Sequence, residues 1–142
     1  MDDEIALLVA DVYDLAGLLR RVGETMAAPE GQTQARWQLL SAISEHPETV
    51  SRAARRLGVT RQAVQRVANE LVHERLAEYR DNPDHRGSPL LALTDAGRKA
   101  LTAINRRAQT FHRRLAQRLG DSRVSALRAD VRQFIAVLAD EE

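Results

Sequence analysis

Cysteine is absent from the 142 residues of this chain, which excludes a disulfide scaffold, a thiolate zinc site and a cysteine nucleophile. A chain of this length needs no such staples, because it can bury roughly 68–70% of its unfolded surface. No apolar run approaches ~18 residues, so no segment reads as a membrane-spanning helix. The first residues, "MDDEIALLVADVYDLAGLLRR", start acidic and lack the basic region and cleavage site of a signal peptide. The expectation is a soluble, cytoplasmic protein with no membrane partner. Lysine is nearly missing as well: of the 21 basic residues only Lys99 is not arginine. Arginine's planar fork suits paired contacts with phosphate and guanine edges.

Catalytic and metal-binding patterns are also wanting. His46, His73, His85 and His112 show no short spacing to carboxylates of the kind that a metal site requires. Ser41, Ser44 and Ser51 fall on helical patterns or caps without a glycine elbow or a neighbouring base. The chain therefore reads as neither an enzyme nor a cofactor protein, and a small hydrolase is the last of the alternatives.

What is present is a strong charge asymmetry beneath a formal net charge of +1. Residues 1–48 hold three Arg against nine Asp and Glu, residues 49–118 fifteen Arg and Lys against six, and residues 119–142 three against five. The balances are −6, +9 and −2. A basic middle between acidic ends points to a middle that meets a polyanion.

Helical periodicity runs through most of the chain. A first stripe, Ile5, Leu8, Val9, Val12, Leu15, Ala16 and Leu19, predicts a helix from Asp3 to about Thr25, closed by Pro29 and Gly31. A second helix runs from Thr33 to about Ser44, with Trp37, Leu40 and Ile43 inward, and stops at His46-Pro47, since the residue before proline is pushed out of helical space. "TVSRAARRLGVT" is a short third helix whose inner face is Val50, Ala53, Ala54 and Leu57, with Gly58 at the left-handed cap position. Thr60 is the N-cap of a fourth helix with the stripe Ala63, Val64, Val67, Ala68, Leu71 and Val72. Strand candidates at Ala77–Arg80 and Leu90–Leu93 make a hairpin around Pro83, Gly87 and Pro89. "TDAG" opens a helix that ends near Gly120, and a last helix from Ser122 carries Val124, Leu127, Val131, Phe134, Ile135 and Leu138 on one face. The fold class is mainly α with a small β-hairpin.

Helices three and four, joined by Leu57-Gly58-Val59-Thr60, have the helix-turn-helix layout, in which the second helix enters the DNA major groove. Removing the buried stripe from the fourth helix leaves Arg61, Gln62, Gln65, Arg66 and Asn69 near its start. Gln and Asn pair with adenine and Arg with guanine, each good pair discriminating by ~1–3 kcal/mol. Free N–H groups at the helix start attract phosphate, and Arg52, Arg55 and Arg56 add cations beside it. An Arg86 at the hairpin tip suits a narrow minor groove, while Asp84 would orient Arg86 or fix the turn. Leu91 and Leu93 would face inward. The bland alternatives are a solvated polar helix face and an ordinary polar turn.

The order of helices, the stretch "LGVTRQAVQRVANELVHERL", the tip "RDNPDHRG" and the closing "LTDAGRKA" resemble the MarR family of winged helix-turn-helix transcriptional regulators over nearly the whole chain. Asp84-His85-Arg86 and the Leu93-Thr94-x-x-Gly97-Arg98 entry to the next helix are the most specific marks. Gly87-Ser88-Pro89 departs from many relatives, which carry charged or apolar residues there. The resemblance implies a winged helix-turn-helix with N- and C-terminal dimerisation helices: a homodimer on a pseudo-palindromic operator in double-stranded DNA. Base readout falls on Gln62, Gln65 and Arg66, with Ala63 beside them, and minor-groove contact on Arg86. The DNA-binding set is then Arg52, Thr60, Arg61, Gln62, Ala63, Gln65, Arg66, Asn69, Asp84 and Arg86. A repressor released by a small aromatic ligand is the implied function, with Tyr13, Trp37 and Phe111 as candidate ligand contacts. The implied division is a dimerisation helix and linker over 1–32, the DNA-binding region over 33–100, and helices completing the dimerisation region over 101–142. The terminal stripes suit a dimer interface, their alternative being to pack on each other within one chain. A winged-helix dimer binding DNA nonspecifically, or binding protein, is the competing function.

Overall fold

The computed structural model describes residues 3–142. Six helices and one hairpin follow each other as α1 Glu4–Ala27, α2 Gln34–Ala42, α3 Val50–Leu57, α4 Arg61–His73, β1 Ala77–Arg80, β2 Leu90–Leu93, α5 Asp95–Leu119 and α6 Asp121–Asp140. Both strands and the start of α4 fall where the sequence pattern puts them. The first helix is longer than expected, because Pro29 sits at the start of a short 3-10 turn, Ala28–Glu30, where a missing N–H costs nothing. The second is shorter: the Ser44 hydroxyl donates to Ser41 O at 2.7 Å and competes with continuation of the helix.

Two compact units divide the chain, the first reaching Asn105 and the second Arg106–Glu142. The first unit holds a core of Leu39, Leu40 and Ile43 from α2, Val50, Ala53 and Ala54 from α3, and Val64, Val67, Ala68 and Leu71 from α4. Ala77, Leu91, Leu93 and Leu101 complete it, so α4 and the hairpin are held by the same packed residues. A two-stranded hairpin is marginal alone, and this one is anchored through its second strand.

The hairpin is antiparallel, with Ala77 opposite Leu93 and Arg80 opposite Leu90. Leu91 and Leu93 are buried as expected, and Ala92 is buried too, at 2% exposure. The reason lies in the loop before α3. Glu48 bridges to Leu91, its N–H donating to Leu91 O at 3.1 Å and its carbonyl accepting from Leu91 N at 2.7 Å. β2 is therefore the central of three extended segments, and a central strand is covered more fully than an edge. Among the described residues no helix is long and apolar enough to cross a membrane.

Candidate nucleic-acid interface

Local chemistry sets the two helices at the interface. Thr49 caps α3, its hydroxyl accepting from Arg52 N at 3.2 Å. Gly58 ends α3 at φ 67° and ψ 31°, its N–H donating to Ala54 O and Arg55 O. That left-handed conformation is nearly free of cost only for glycine. Thr60 then caps α4 by accepting from Ala63 N at 3.1 Å. Cap, left-handed glycine and cap occupy so few residues that α4 leaves α3 at a tight turn.

The orientation of α4 is held from behind. Arg36 on α2 reaches Glu70 Oε2 at 3.1 Å in α4's far half and Glu74 Oε2 at 2.8 Å at its C-cap. Burial works against the Arg36 charge, but the hydrogen bonds and charges of Glu70 and Glu74 outweigh it, so its pKa lies above the ordinary arginine value. With Val64, Val67, Ala68 and Leu71 buried, the opposite face near the helix start is left to Arg61, Gln62, Arg66 and Asn69, all exposed. Ala63 and Gln65 are half-buried.

Gln65 differs from the others in being engaged. Its Nε2 donates to Asn69 Oδ1 at 3.0 Å and to the Tyr79 hydroxyl at 2.8 Å. Tyr79 lies on β1 and was missed from the sequence; the only signal was an aromatic residue within a strand candidate. Residues of α4, of the α3 start and of the hairpin line a cavity of about 180 Å³ that includes Arg61, Gln65, Asn69 and Tyr79.

Arg52 and Arg56 flank the buried Glu48, with Arg52 Nε 3.6 Å from Oε2 and Arg56 Nη1 3.1 Å from Oε1. Arg56 also donates to Ala42 O at 3.2 Å, which ties it to the scaffold. The Arg52 side chain stays 71% exposed and available to an outside anion. Glu48, too, was missed, its spacing to Arg52 and Arg56 being the one trace it leaves.

At the hairpin tip Asn82, not Asp84, shapes the turn. Asn82 Nδ2 donates to Ser88 O at 2.9 Å and Asn82 Oδ1 accepts from Asp84 N at 3.1 Å. Further turns are closed by His85 N to Asn82 O and Ser88 N to His85 O. Among the described residues no ion pair joins Asp84 to Arg86, and both are exposed. Arg86 is thus a free cation on a tip that Asn82 holds closed.

The aromatic candidates are distributed differently. Trp37 donates from Nε1 to Asn105 Oδ1 at 3.0 Å and lines a cavity of about 370 Å³ with Gln34, Gln38, Ser41, Ala42, Arg56 and Leu57. Tyr13 is outside that lining and 75% exposed on α1. Phe111 belongs to the second unit, its ring centroid 6.3 Å from that of His112 and 5.8 Å from the Arg114 guanidinium carbon.

The short α3, the capped α4 behind it and the hairpin anchored on the same core make a winged helix-turn-helix. A family model described as MarR family matches residues 31–86, from the turn before α2 to the hairpin tip. Uncharacterised proteins of Mycobacterium tuberculosis and Mycobacterium bovis are 60% identical to this chain over 141 residues, covering 99% of it and 99% of their own length. The chain belongs to the MarR family. MarR is a family of transcription regulators, not of enzymes. Solved MarR-family structures share the fold: an Escherichia coli MarR mutant complexed with operator DNA has a TM-score of 0.83 at 22% identity, covering 92% of this chain and 95% of that one. CouR from Rhodococcus jostii, bound to p-coumaroyl-CoA, has a TM-score of 0.77 at 20% identity, covering 93% and 92%.

Proposed function

We propose that this MarR-family regulator is a homodimeric, sequence-specific DNA-binding repressor in the cytoplasm. The observation that carries the reading is the exposed face of α4, where Arg61, Gln62, Arg66 and Asn69 offer base-pairing chemistry within the +9 stretch of the chain. Gln65 and Ala63 lie on the same helix near that face, and Thr60 caps it. Arg52 supplies a phosphate contact and Arg86 a minor-groove contact, with Asp84 beside it on the tip.

Residues 33–100 are the DNA-binding region in this reading, and 1–32 and 101–142 make the dimer. In support, α1 exposes Leu8, Val12, Leu15 and Leu19 at 41–55%, and α6 exposes Leu127, Val131, Ile135 and Leu138 at 49–53%. Apolar surface of that extent marks an interface. A two-fold dimer would present paired recognition helices to an inverted repeat.

Selection of bound sequences from a random double-stranded DNA pool tests the reading directly. An enriched inverted repeat, bound ~10³-fold or more tightly than bulk DNA, is the expected result for a sequence-specific regulator. Uniform retention of all sequences would instead mark a nonspecific binder.

Release by a small aromatic ligand is the finer part of the proposal, with Trp37 as the candidate contact. The cavity beside Trp37 and the acyl-CoA ligand bound by CouR favour it. Trp37 is the single tryptophan, so its emission reports occupancy: titration with salicylate should quench it and lower operator affinity together. Unchanged emission and unchanged affinity would reject this ligand class.

A further inference from the structure

The hydrogen bonds of Gln65 change what it offers to a base. A primary amide has two N–H donors and one carbonyl oxygen. Both donors of Gln65 are engaged within the chain, by Asn69 Oδ1 at 3.0 Å and by the Tyr79 hydroxyl at 2.8 Å. What remains is Oε1, which only accepts. An unrestrained glutamine pairs bidentately with adenine by accepting from N6 and donating to N7. A restrained one requires only that the base present a donor.

Tyr79 is well placed to impose that restraint. It pairs with Leu91 across the hairpin, and Leu91 is fully buried and doubly hydrogen-bonded to Glu48. The hydroxyl is therefore carried by an edge strand whose partner, β2, is held from its other side by Glu48. Releasing a Gln65 donor toward DNA means breaking the Tyr79 or Asn69 bond in a cleft that the hairpin partly covers.

We propose that Tyr79 is a specificity-determining residue: with Asn69 it locks the Gln65 amide, so that Gln65 selects bases bearing an amino group in the major groove, adenine or cytosine, over guanine and thymine. Adenine offers N6–H and cytosine N4–H there, whereas the guanine O6 and N7 and the thymine O4 are acceptors. An acceptor facing Gln65 Oε1 leaves both oxygens without a donor, which discriminates by roughly ten-fold or more. This inference rests on the DNA-binding reading and assigns the strand residue of the cleft, Tyr79 on β1, a role in base choice.

The test is pool selection with the full chain, run in parallel for wild type, Gln65→Ala and Tyr79→Phe. The position at which Gln65→Ala loses preference is the one that Gln65 reads. Wild type should favour adenine or cytosine there by about ten-fold. Tyr79→Phe should accept all four bases at that position while the remaining positions and the salt dependence keep their wild-type values. Tyr79 is 37% exposed, so loss of its hydroxyl should leave the melting temperature nearly unchanged, and the unchanged positions report an intact fold. Guanine or thymine preferred by wild type at the Gln65 position overturns the proposal. So does a Tyr79→Phe profile identical to wild type, or one weakened evenly at every position. No enriched repeat for wild type overturns the DNA-binding reading and this inference with it, whereas an enriched repeat indifferent to Tyr79→Phe overturns this inference alone.

Discussion

Gly58 and Gly97 are constrained in different ways, and alanine separates them. Gly58 has φ +67° with open space around it, so Gly58→Ala meets only the left-handed backbone penalty, about 1–2 kcal/mol. Gly97 has ordinary dihedrals, but a Cβ there would overlap the backbone oxygen of Leu76. Thr94 explains the close approach: its hydroxyl donates to Arg75 O at 2.7 Å and accepts from Gly97 N at 3.0 Å, pinning the start of α5 against the end of α4. Alanine would gain about 1 kcal/mol of helix propensity, but the overlap is with backbone that cannot yield freely, an overpacking cost of about 1–3 kcal/mol or more. Gly97→Ala should therefore be net destabilising and should shift the start of α5. Urea unfolding of both variants checks the two magnitudes, and Gly58→Asn, which tolerates φ > 0 better, should recover part of the Gly58→Ala loss.

For elements, the question is what keeps α4 and the hairpin in one frame. Arg36 is only 16% exposed, whereas Glu70 and Glu74 are 43% and 41% exposed. Solvent screens the carboxylates, so the two bridges together should contribute about 1–2 kcal/mol, not the value of a fully buried pair. Arg36→Ala is expected to lower unfolding free energy by that amount in urea titration. Leu91 matters more to the hairpin, being fully buried between β1 and Glu48. Leu91→Ala should cost about 2–5 kcal/mol, and weaken DNA binding beyond what the loss of fold accounts for, because it loosens both Tyr79 and the Arg86 tip. Gel-shift titration at a temperature where the variant stays folded measures that excess.

At the scale of the molecule, charge and apolar surface are segregated along the chain. The +9 stretch holds α3, α4 and the hairpin, and the −6 and −2 ends hold α1 and α6. An acidic end is best kept from DNA, which agrees with the proposed use of α1 and α6 as a dimer interface. If each dimer neutralises ~6–10 phosphates, affinity should fall ~10³–10⁵-fold between 50 and 200 mM salt; a flat response would reject the phosphate contacts. Leu8→Asp combined with Ile135→Asp places charge on both exposed apolar faces. Sedimentation should then report a monomer, and operator affinity should collapse although the face of α4 is untouched.

Much of this protein was determined by its sequence alone. The α4 start, both strands and the left-handed cap at Gly58 follow from local rules, since caps, glycine and apolar periodicity act over only a few residues. The exposed Arg61, Gln62, Arg66 and Asn69 follow in the same way, by subtracting a buried stripe. Tertiary structure decided what depends on residues distant in sequence. Glu48 joins the hairpin as a third extended segment, Arg36 clamps α4 through Glu70 and Glu74, and Tyr79 takes up a Gln65 donor. Asn82 holds the tip that Asp84 was expected to fix. Local patterns place a side chain on a face, but a hydrogen bond to another element depends on how the two elements pack. That is why the candidate readout residues were legible in the sequence and the state of the Gln65 amide was not.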